Sequence, residues 1–251
     1  MSDQMQRGRF IWRDLITGNP DTAEAFYTNL FGWQAVPIDQ GEAGIYRMLM
    51  QNGAPFGGIY GAEPTGWVSY IITPDLDQTL KQIGESGGTA VSEPMELPNV
   101  GRFAVIDDPG GARFAAMETA LNGTDPAATP EVGGIAFNEL VTSDFGGSIA
   151  FYSQVFGYGE MPVPSATGNY SLLTTTVDGN PVMTAGVFRR PEGIEQNAWI
   201  IYVRVANIES TRQKAIELGA EAIGGINDIP SFGQTAWLLD PTGARFALRE
   251  L

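Results

Sequence analysis

Hydrophobic positions along this chain switch between two periods. Phe10 to Thr17 reads as a strand, its side chains alternating between two faces. Asn19-Pro20 follows, an N-cap residue and a proline at the first helical position. Ala23, Phe26, Tyr27 and Leu30 then fall on one helical stripe that ends at Gly32. The spacing predicts a strand, a tight turn and an amphipathic helix. A second such unit starts with Trp67 to Thr73, turns at Pro74-Asp75, and sets Leu76, Leu80 and Ile83 on a helix stopped by Gly87. Short strands are expected after each helix.

The pattern then repeats. Asp14-Leu15, Ala25-Phe26-Tyr27 and Leu30-Phe31-Gly32-Trp33 recur 125 residues later as Glu139-Leu140, Ala150-Phe151-Tyr152 and Val155-Phe156-Gly157-Tyr158. Pro98-x-x-Gly101 and Asp108-Pro109-x-Gly111-Ala112-Arg113-Phe114 recur 132 residues later as Pro230-x-x-Gly233 and Asp240-Pro241-x-Gly243-Ala244-Arg245-Phe246, so the second copy gains seven residues between its anchors. Ile135 to Thr142 and Ala198 to Val205 are the matching strands. Ile149, Val155 and Phe156 mark one helix, and Ile208, Thr211, Ala215 and Leu218 the other, with Gly219 as its C′ residue. Thr119 to Gly133, rich in Gly, Pro, Thr and Ala without periodicity, reads as a linker. The division predicted is a domain over 8–118, a linker over 119–133 and a domain over 134–251, with four β-α-β-β-β units in all.

Composition removes several function classes. The 251 residues are 43% hydrophobic, ample for cores, and carry 29 acidic against 14 basic side chains. A net charge of −15 repels phosphate backbones and anionic head groups, so neither nucleic acid nor a membrane is expected as a partner. No apolar stretch approaches the roughly 20 residues that span a bilayer, and the polar start lacks a signal-peptide core, which points to a cytoplasmic protein. Cysteine and histidine are both absent. Thiolate chemistry, cysteine-bound metal and Ser-His-Asp catalysis are excluded, and no Gly-x-x-x-x-Gly-Lys phosphate loop occurs.

The unit count, the helix ending Phe26-Tyr27-x-x-Leu30-Phe31-Gly32-Trp33 and the late Asp-Pro-x-Gly turn resemble the vicinal oxygen chelate superfamily, which includes glyoxalase I, bleomycin-resistance proteins and extradiol dioxygenases. The resemblance covers nearly the whole chain. It implies an α+β fold of tandem glyoxalase-like domains, four βαβββ units curling into two mixed-sheet cups. In the family's enzymes a divalent metal sits in the cup on His, Gln or Glu side chains from four strands. Here the first-strand ligand falls on Trp12 and Phe137, the last-strand ligand on Ala115 and Ala247, and the one opening the second unit at Val68 and Ile200. The fourth lies in Pro55 to Gly61 and Pro181 to Val187, which contain neither acid nor imidazole. No metal and no other cofactor are expected.

Strand alternation puts Asp14 beside Trp12, and Glu139 beside Phe137, on the cup faces. Counting in twos adds Tyr70, Tyr202, Arg113 and Arg245, with Arg204 beyond Tyr202 where the first copy has Ile72. Asp14 and Glu139 are the candidate proton-transfer groups, and Trp12, Tyr70, Arg113, Phe137, Tyr202, Arg204 and Arg245 the candidate ligand contacts. Arg204 is expected to neutralise Glu139, leaving Asp14 against Trp12 suited to proton transfer. A plainer expectation is that both acids pair with arginines to hold the repeat together. The Phe-Tyr pairs read as helix-to-sheet packing, and the Asp-Pro-x-Gly segments as turns without chemistry. Three functions fit: a metal-independent protein binding a small, partly apolar organic molecule; an isomerase or lyase on a carbonyl compound; or an interaction scaffold. A monomer or homodimer is expected.

Overall fold

The computed structural model describes residues 7–121, 130–164, 170–177, 179–229 and 232–251. Residues 122–129 of the expected linker, and Pro230 of the second Pro-x-x-Gly, lie outside the described residues. The first copy runs β1 (Phe10–Thr17), α1 (Pro20–Phe31), β2 (Gln34–Asp39), β3 (Ile45–Gln51), β4 (Ala54–Gly61), β5 (Gly66–Thr73), α2 (Leu76–Glu85), β6 (Thr89–Ala90), β7 (Met95–Leu97), β8 (Gly101–Asp107) and β9 (Arg113–Thr119). The second runs β10 (Ile135–Thr142), α3 (Phe145–Phe156), β11 (Gly159–Pro162), β12 (Tyr170–Val177), β13 (Asn180–Arg189), β14 (Ala198–Arg204), α4 (Ile208–Glu217), β15 (Glu221–Ile229), β16 (Gly233–Leu239) and β17 (Arg245–Glu250).

The strands form two mixed sheets, as the resemblance implied. One is ordered β2-β3-β4-β1-β5-β9-β8-β6, with β7 also on β8, and the other β11-β12-β13-β10-β14-β17-β16-β15. In each, the strand before a helix pairs in parallel with the last strand of its unit: β1 with β4, β5 with β9, β10 with β13 and β14 with β17. The intervening strands return antiparallel, so each unit is a parallel crossover closed by a meander. None of the described helices is long and apolar enough to cross a membrane.

Helix ends follow the sequence at all but one place. Gly32 and Gly157 both close their helices with φ of 74°, a left-handed conformation that glycine adopts without strain. Asp75, Asp144 and Asn207 accept from the backbone N–H groups of Gln78, Gly147 and Ser210 and so cap α2, α3 and α4. Asn19, the expected cap of α1, makes no such bond. Its own N–H instead donates to Thr17 Oγ1 at 3.1 Å, and α1 starts on Pro20 and the acidic Asp21.

Two compact units result, and each draws on both copies of the repeat. The first combines Ser69–Ala128 with Asn138–Trp199 and the chain start to Ile11; its core joins Ile71, Leu76 and Ile83 to Leu140, Tyr152 and Phe156. The second combines Trp12–Val68 with Thr129–Phe137 and Ile200–Leu251, joining Leu15, Phe26 and Leu49 to Ile201, Phe246 and Leu248. One amphipathic helix on half a sheet leaves apolar surface that the matching half of the other copy covers.

A buried hydrogen-bond relay runs through each unit and links the two diagnostic motifs. In the first, Trp199 Nε1 donates to the Tyr152 hydroxyl at 2.8 Å, and that hydroxyl donates to Asp108 Oδ2 at 3.1 Å. In the second, Trp67 Nε1 donates to the Tyr27 hydroxyl at 3.1 Å, which donates to Asp240 Oδ2 at 2.9 Å. The other oxygen of each acid organises its turn: Asp108 Oδ1 accepts from Ala112 N at 2.8 Å and Asp240 Oδ1 from Ala244 N at 3.0 Å. The Phe-Tyr helices and the Asp-Pro turns therefore do more than pack and turn.

Candidate functional site

The face of β1 away from α1 carries Trp12 and Asp14, while Leu15 on the other face enters the core. Two strands away, β3 carries Tyr46 on the Asp14 side. Between them runs β4, whose Gly58 pairs with Asp14 in one direction and Met48 in the other. A Cβ at Gly58 would overlap the ring and hydroxyl of Tyr46, so only glycine lets that ring lie across β4 and reach β1.

The result is a closed triangle. Tyr46 donates its hydroxyl hydrogen to Asp14 Oδ1 at 2.8 Å, and the Trp12 indole N–H is shared between Asp14 Oδ1 at 2.9 Å and the Tyr46 oxygen at 2.8 Å. Asp14 is 7% exposed. Burial first, and then the negative charge and acceptance of Asp14, hold the Tyr46 phenol far above its ordinary pKa, so it stays a proton donor throughout the physiological range. Trp12 is thus a polar partner of Asp14 rather than an apolar wall.

The remaining sequence candidates are distributed as follows. Tyr70 is buried on β5 opposite Ala115, its ring centroid 5.2 Å from that of Phe103. Arg113 makes a two-pronged ion pair with Asp107, Nε to Oδ1 at 2.8 Å and Nη2 to Oδ2 at 2.9 Å. In the second copy, the ring centroid of Phe232 lies 5.0 Å from that of Phe137 and 6.1 Å from that of Tyr202. Trp237 Nε1 pins the Tyr202 hydroxyl at 2.8 Å. The Arg249 guanidinium stacks 3.5 Å from the Phe232 ring centre, with its Nε donating to the Phe232 carbonyl at 2.9 Å. Arg204 donates from Nη1 to the Pro130 carbonyl at 2.6 Å, and Arg245 opens β17 opposite Leu239.

Glu139 is 4% exposed and pairs with Gly186 as Asp14 pairs with Gly58. Leu172 lies opposite Gly186 as Met48 lies opposite Gly58, which puts Tyr170 at the register position of Tyr46. Tyr46, Gly58, Phe232, Trp237 and Arg249 are the participants that the sequence motifs did not single out. One signal was present: Gly44-Ile45-Tyr46 recurs as Gly168-Asn169-Tyr170.

The donor set at these places does not fit the divalent metal that the fold family uses. The Trp12 nitrogen presents a hydrogen already committed to two oxygens, and Val68, Ala115, Ile200 and Ala247 have no side-chain donor atom. Among the described residues, no three Asp, Glu, His or Cys side chains gather as a metal site would require.

Comparison with known proteins agrees with the fold. Residues 9–116 match the family model of the Glyoxalase/Bleomycin resistance protein/Dioxygenase superfamily. Along 96% of the chain and 92% of its relative, 31% of residues are identical to the "Anthracycline biosynthesis protein DauV" of Streptomyces sp. (strain C5). The "Putative glyoxylase CFP32" of Mycobacterium tuberculosis (strain CDC 1551 / Oshkosh) is 31% identical over 98% of this chain and 95% of its own length. The chain belongs to the glyoxalase, bleomycin-resistance and dioxygenase superfamily. Among solved structures, the Mn(II)-bound glyoxalase from Novosphingobium aromaticivorans superposes with a TM-score of 0.67 at 12% identity, covering 98% of this chain and 82% of that one. The 2,3-dioxygenase LapB from Pseudomonas sp. KL28 does so with a TM-score of 0.63 at 14% identity, covering 98% and 93%. At such identities the likeness is one of fold alone.

Proposed function

We propose that this protein is a metal-independent member of its superfamily that binds a small, partly apolar organic molecule, in sequestration, resistance or sensing. The observation that carries this reading is the Trp12–Asp14–Tyr46 triangle, which puts an organised polar group where relatives place a first-strand metal ligand. Aromatic and apolar surface with a few fixed polar atoms is the usual make-up of a small-molecule site. A relative named for anthracycline biosynthesis is in keeping with an organic ring compound as ligand. The test is native mass spectrometry with metal analysis on freshly purified protein, followed by thermal-shift screening of a metabolite and drug panel. An organic ligand bound without stoichiometric metal is expected. A stoichiometric transition metal, or no shift anywhere in the panel at high ligand concentration, would sink the reading.

The burial of Asp14 and Glu139 favours a second reading, an isomerase or lyase on a carbonyl compound in which either acid moves a proton. Full turnover in both Asp14→Asn and Glu139→Gln would remove it.

A further inference from the structure

The hairpin between β3 and β4 turns on two residues, Asn52 and Gly53, set between the paired Gln51 and Ala54. Both have positive φ, 50° and 78°, the conformation of the tight turn that Asn-Gly favours. In such a turn the closing bond is made by the residue after the glycine, so the Gly53 N–H stays outside the ladder. Both turn residues are exposed, and a Cβ built on Gly53 would meet no neighbour. Water therefore reaches a backbone nitrogen that neither a side chain nor a ladder bond shields, one residue after an asparagine carboxamide.

That carboxamide is tethered. Asn52 Nδ2 donates to Glu131 Oε2 at 2.5 Å, and beside it Gln51 Nε2 donates to the Val132 carbonyl at 2.9 Å. The segment receiving these bonds is anchored elsewhere, since Trp33 Nε1 donates to the Gly133 carbonyl at 2.8 Å and Gly133 N to the Arg204 carbonyl at 2.7 Å. The second copy has Asp178-Gly179 between its paired Val177 and Asn180, so the repeat tolerates a carboxylate at this point of its sequence.

We propose that Asn52 is a site of spontaneous modification, hydrolysis of its carboxamide through a cyclic imide formed with Gly53, and that Glu131 restrains the reaction. The Gly53 nitrogen attacks Asn52 Cγ and gives its proton to water, while the amide nitrogen takes up a proton and leaves as ammonia. One C–N bond forms and one breaks. Water then opens the imide at either carbonyl. The product is aspartate, or isoaspartate where the backbone now runs through the side-chain carboxyl, and nothing is oxidised or reduced. The bond to Glu131 holds the nitrogen that has to leave, and with it keeps Cγ from swinging onto the Gly53 nitrogen. After reaction the donor amide has become a carboxylate facing Glu131, so a hydrogen bond between the hairpin and residue 131 gives way to like-charge repulsion.

Ageing the full-length protein in warm, mildly alkaline buffer tests this. The reading is replacement of NH₂ by OH, and isoaspartate content, in the tryptic peptide spanning residues 48–81, whose single asparagine is Asn52. Asn52 should convert at least about tenfold more slowly in the folded natural protein than in the same chain held in guanidinium chloride, an effect within reach of one hydrogen bond to a charged acceptor. Glu131→Ala should raise the folded rate at least about threefold by freeing the carboxamide. Glu131 is exposed, so this truncation leaves the cores untouched, and the folded-against-unfolded comparison needs only the natural chain. A folded rate equal to the unfolded one, or a smaller rise in Glu131→Ala, overturns the restraint. No conversion of Asn52 in either folded protein overturns the site.

Discussion

The Tyr27 hydroxyl donates to Asp240 at 2.9 Å across 213 residues of sequence, joining the helix motif of the first copy to the turn motif of the second. Tyr152 and Asp108 make the reciprocal bond. Both tyrosines also accept from a tryptophan, and burial, followed by the charge of the acid, holds each phenol well above its ordinary pKa. Removing one hydroxyl leaves a buried carboxylate oxygen and an indole N–H without that partner. Tyr27→Phe and Tyr152→Phe should each destabilise the fold by about 1–3 kcal/mol. Urea unfolding gives the value, and a loss below about 0.5 kcal/mol in both would show that water replaces the hydroxyl.

Asp108 makes one of these networks sensitive to pH. Burial raises its pKa above the ordinary 3.8, and the hydrogen bonds from Ala112, Tyr152 and Gly110 offset that only in part. A carboxyl whose folded-state pKa lies above its unfolded value binds its proton more tightly when folded. Its stabilising contribution is complete below the unfolded pKa and is lost as pH rises through the folded one. Between pH 4 and 7 the natural protein should therefore lose stability relative to Asp108→Asn, whose side chain cannot titrate. Unfolding curves measured in parallel across that range check the sign, and parallel profiles would contradict it.

Arg249 and Phe232 form a stack that depends on guanidinium shape as well as charge. Arg249→Lys keeps the charge and loses both the planar contact and the bond to the Phe232 carbonyl. A loss of about 1–2 kcal/mol is expected, persisting in high salt because the pair is largely buried. Full suppression of the difference by salt would mean that the interaction is charge alone.

Gly32 and Gly157 occupy the same φ at the ends of α1 and α3, with open space where a side chain would go. Gly→Ala at either position should cost about 1 kcal/mol from backbone conformation alone. Similar shifts in denaturation midpoint are expected, and a neutral result at one would show that its helix end relaxes.

Much of this fold was legible because it depends on local pattern. The strand read from Phe10 to Thr17 has those bounds, and Ile135 to Thr142 likewise, since both are short runs rich in β-branched and aromatic residues and turn residues follow at once. Gly32, Gly157 and Gly219 close or follow their helices because positive φ selects glycine whatever surrounds it. Asn19 stands at the N-cap of α1 without a side-chain bond to it, so its sequence signal marked the helix boundary and not the bond. The triangle was half visible: alternation set Trp12 beside Asp14, yet Tyr46 sits in an almost unbroken apolar run, and its role depends on Gly58 of β4, the strand that lies between β3 and β1 in the sheet. Phe232 and Arg249 escaped for a similar reason, since stacking joins a loop to a strand that no period relates.

The paired bonds Tyr27–Asp240 and Tyr152–Asp108 have a consequence for heredity. Each half of the gene encodes the donor for one relay and the acceptor for the other, so neither half can lose its member without exposing a defect in the other. A recombinant that took one half from a distant relative would keep its full stability only if the incoming segment carried a tyrosine and an aspartate at the matching places. The ancestral duplication is thereby held together by mutual dependence.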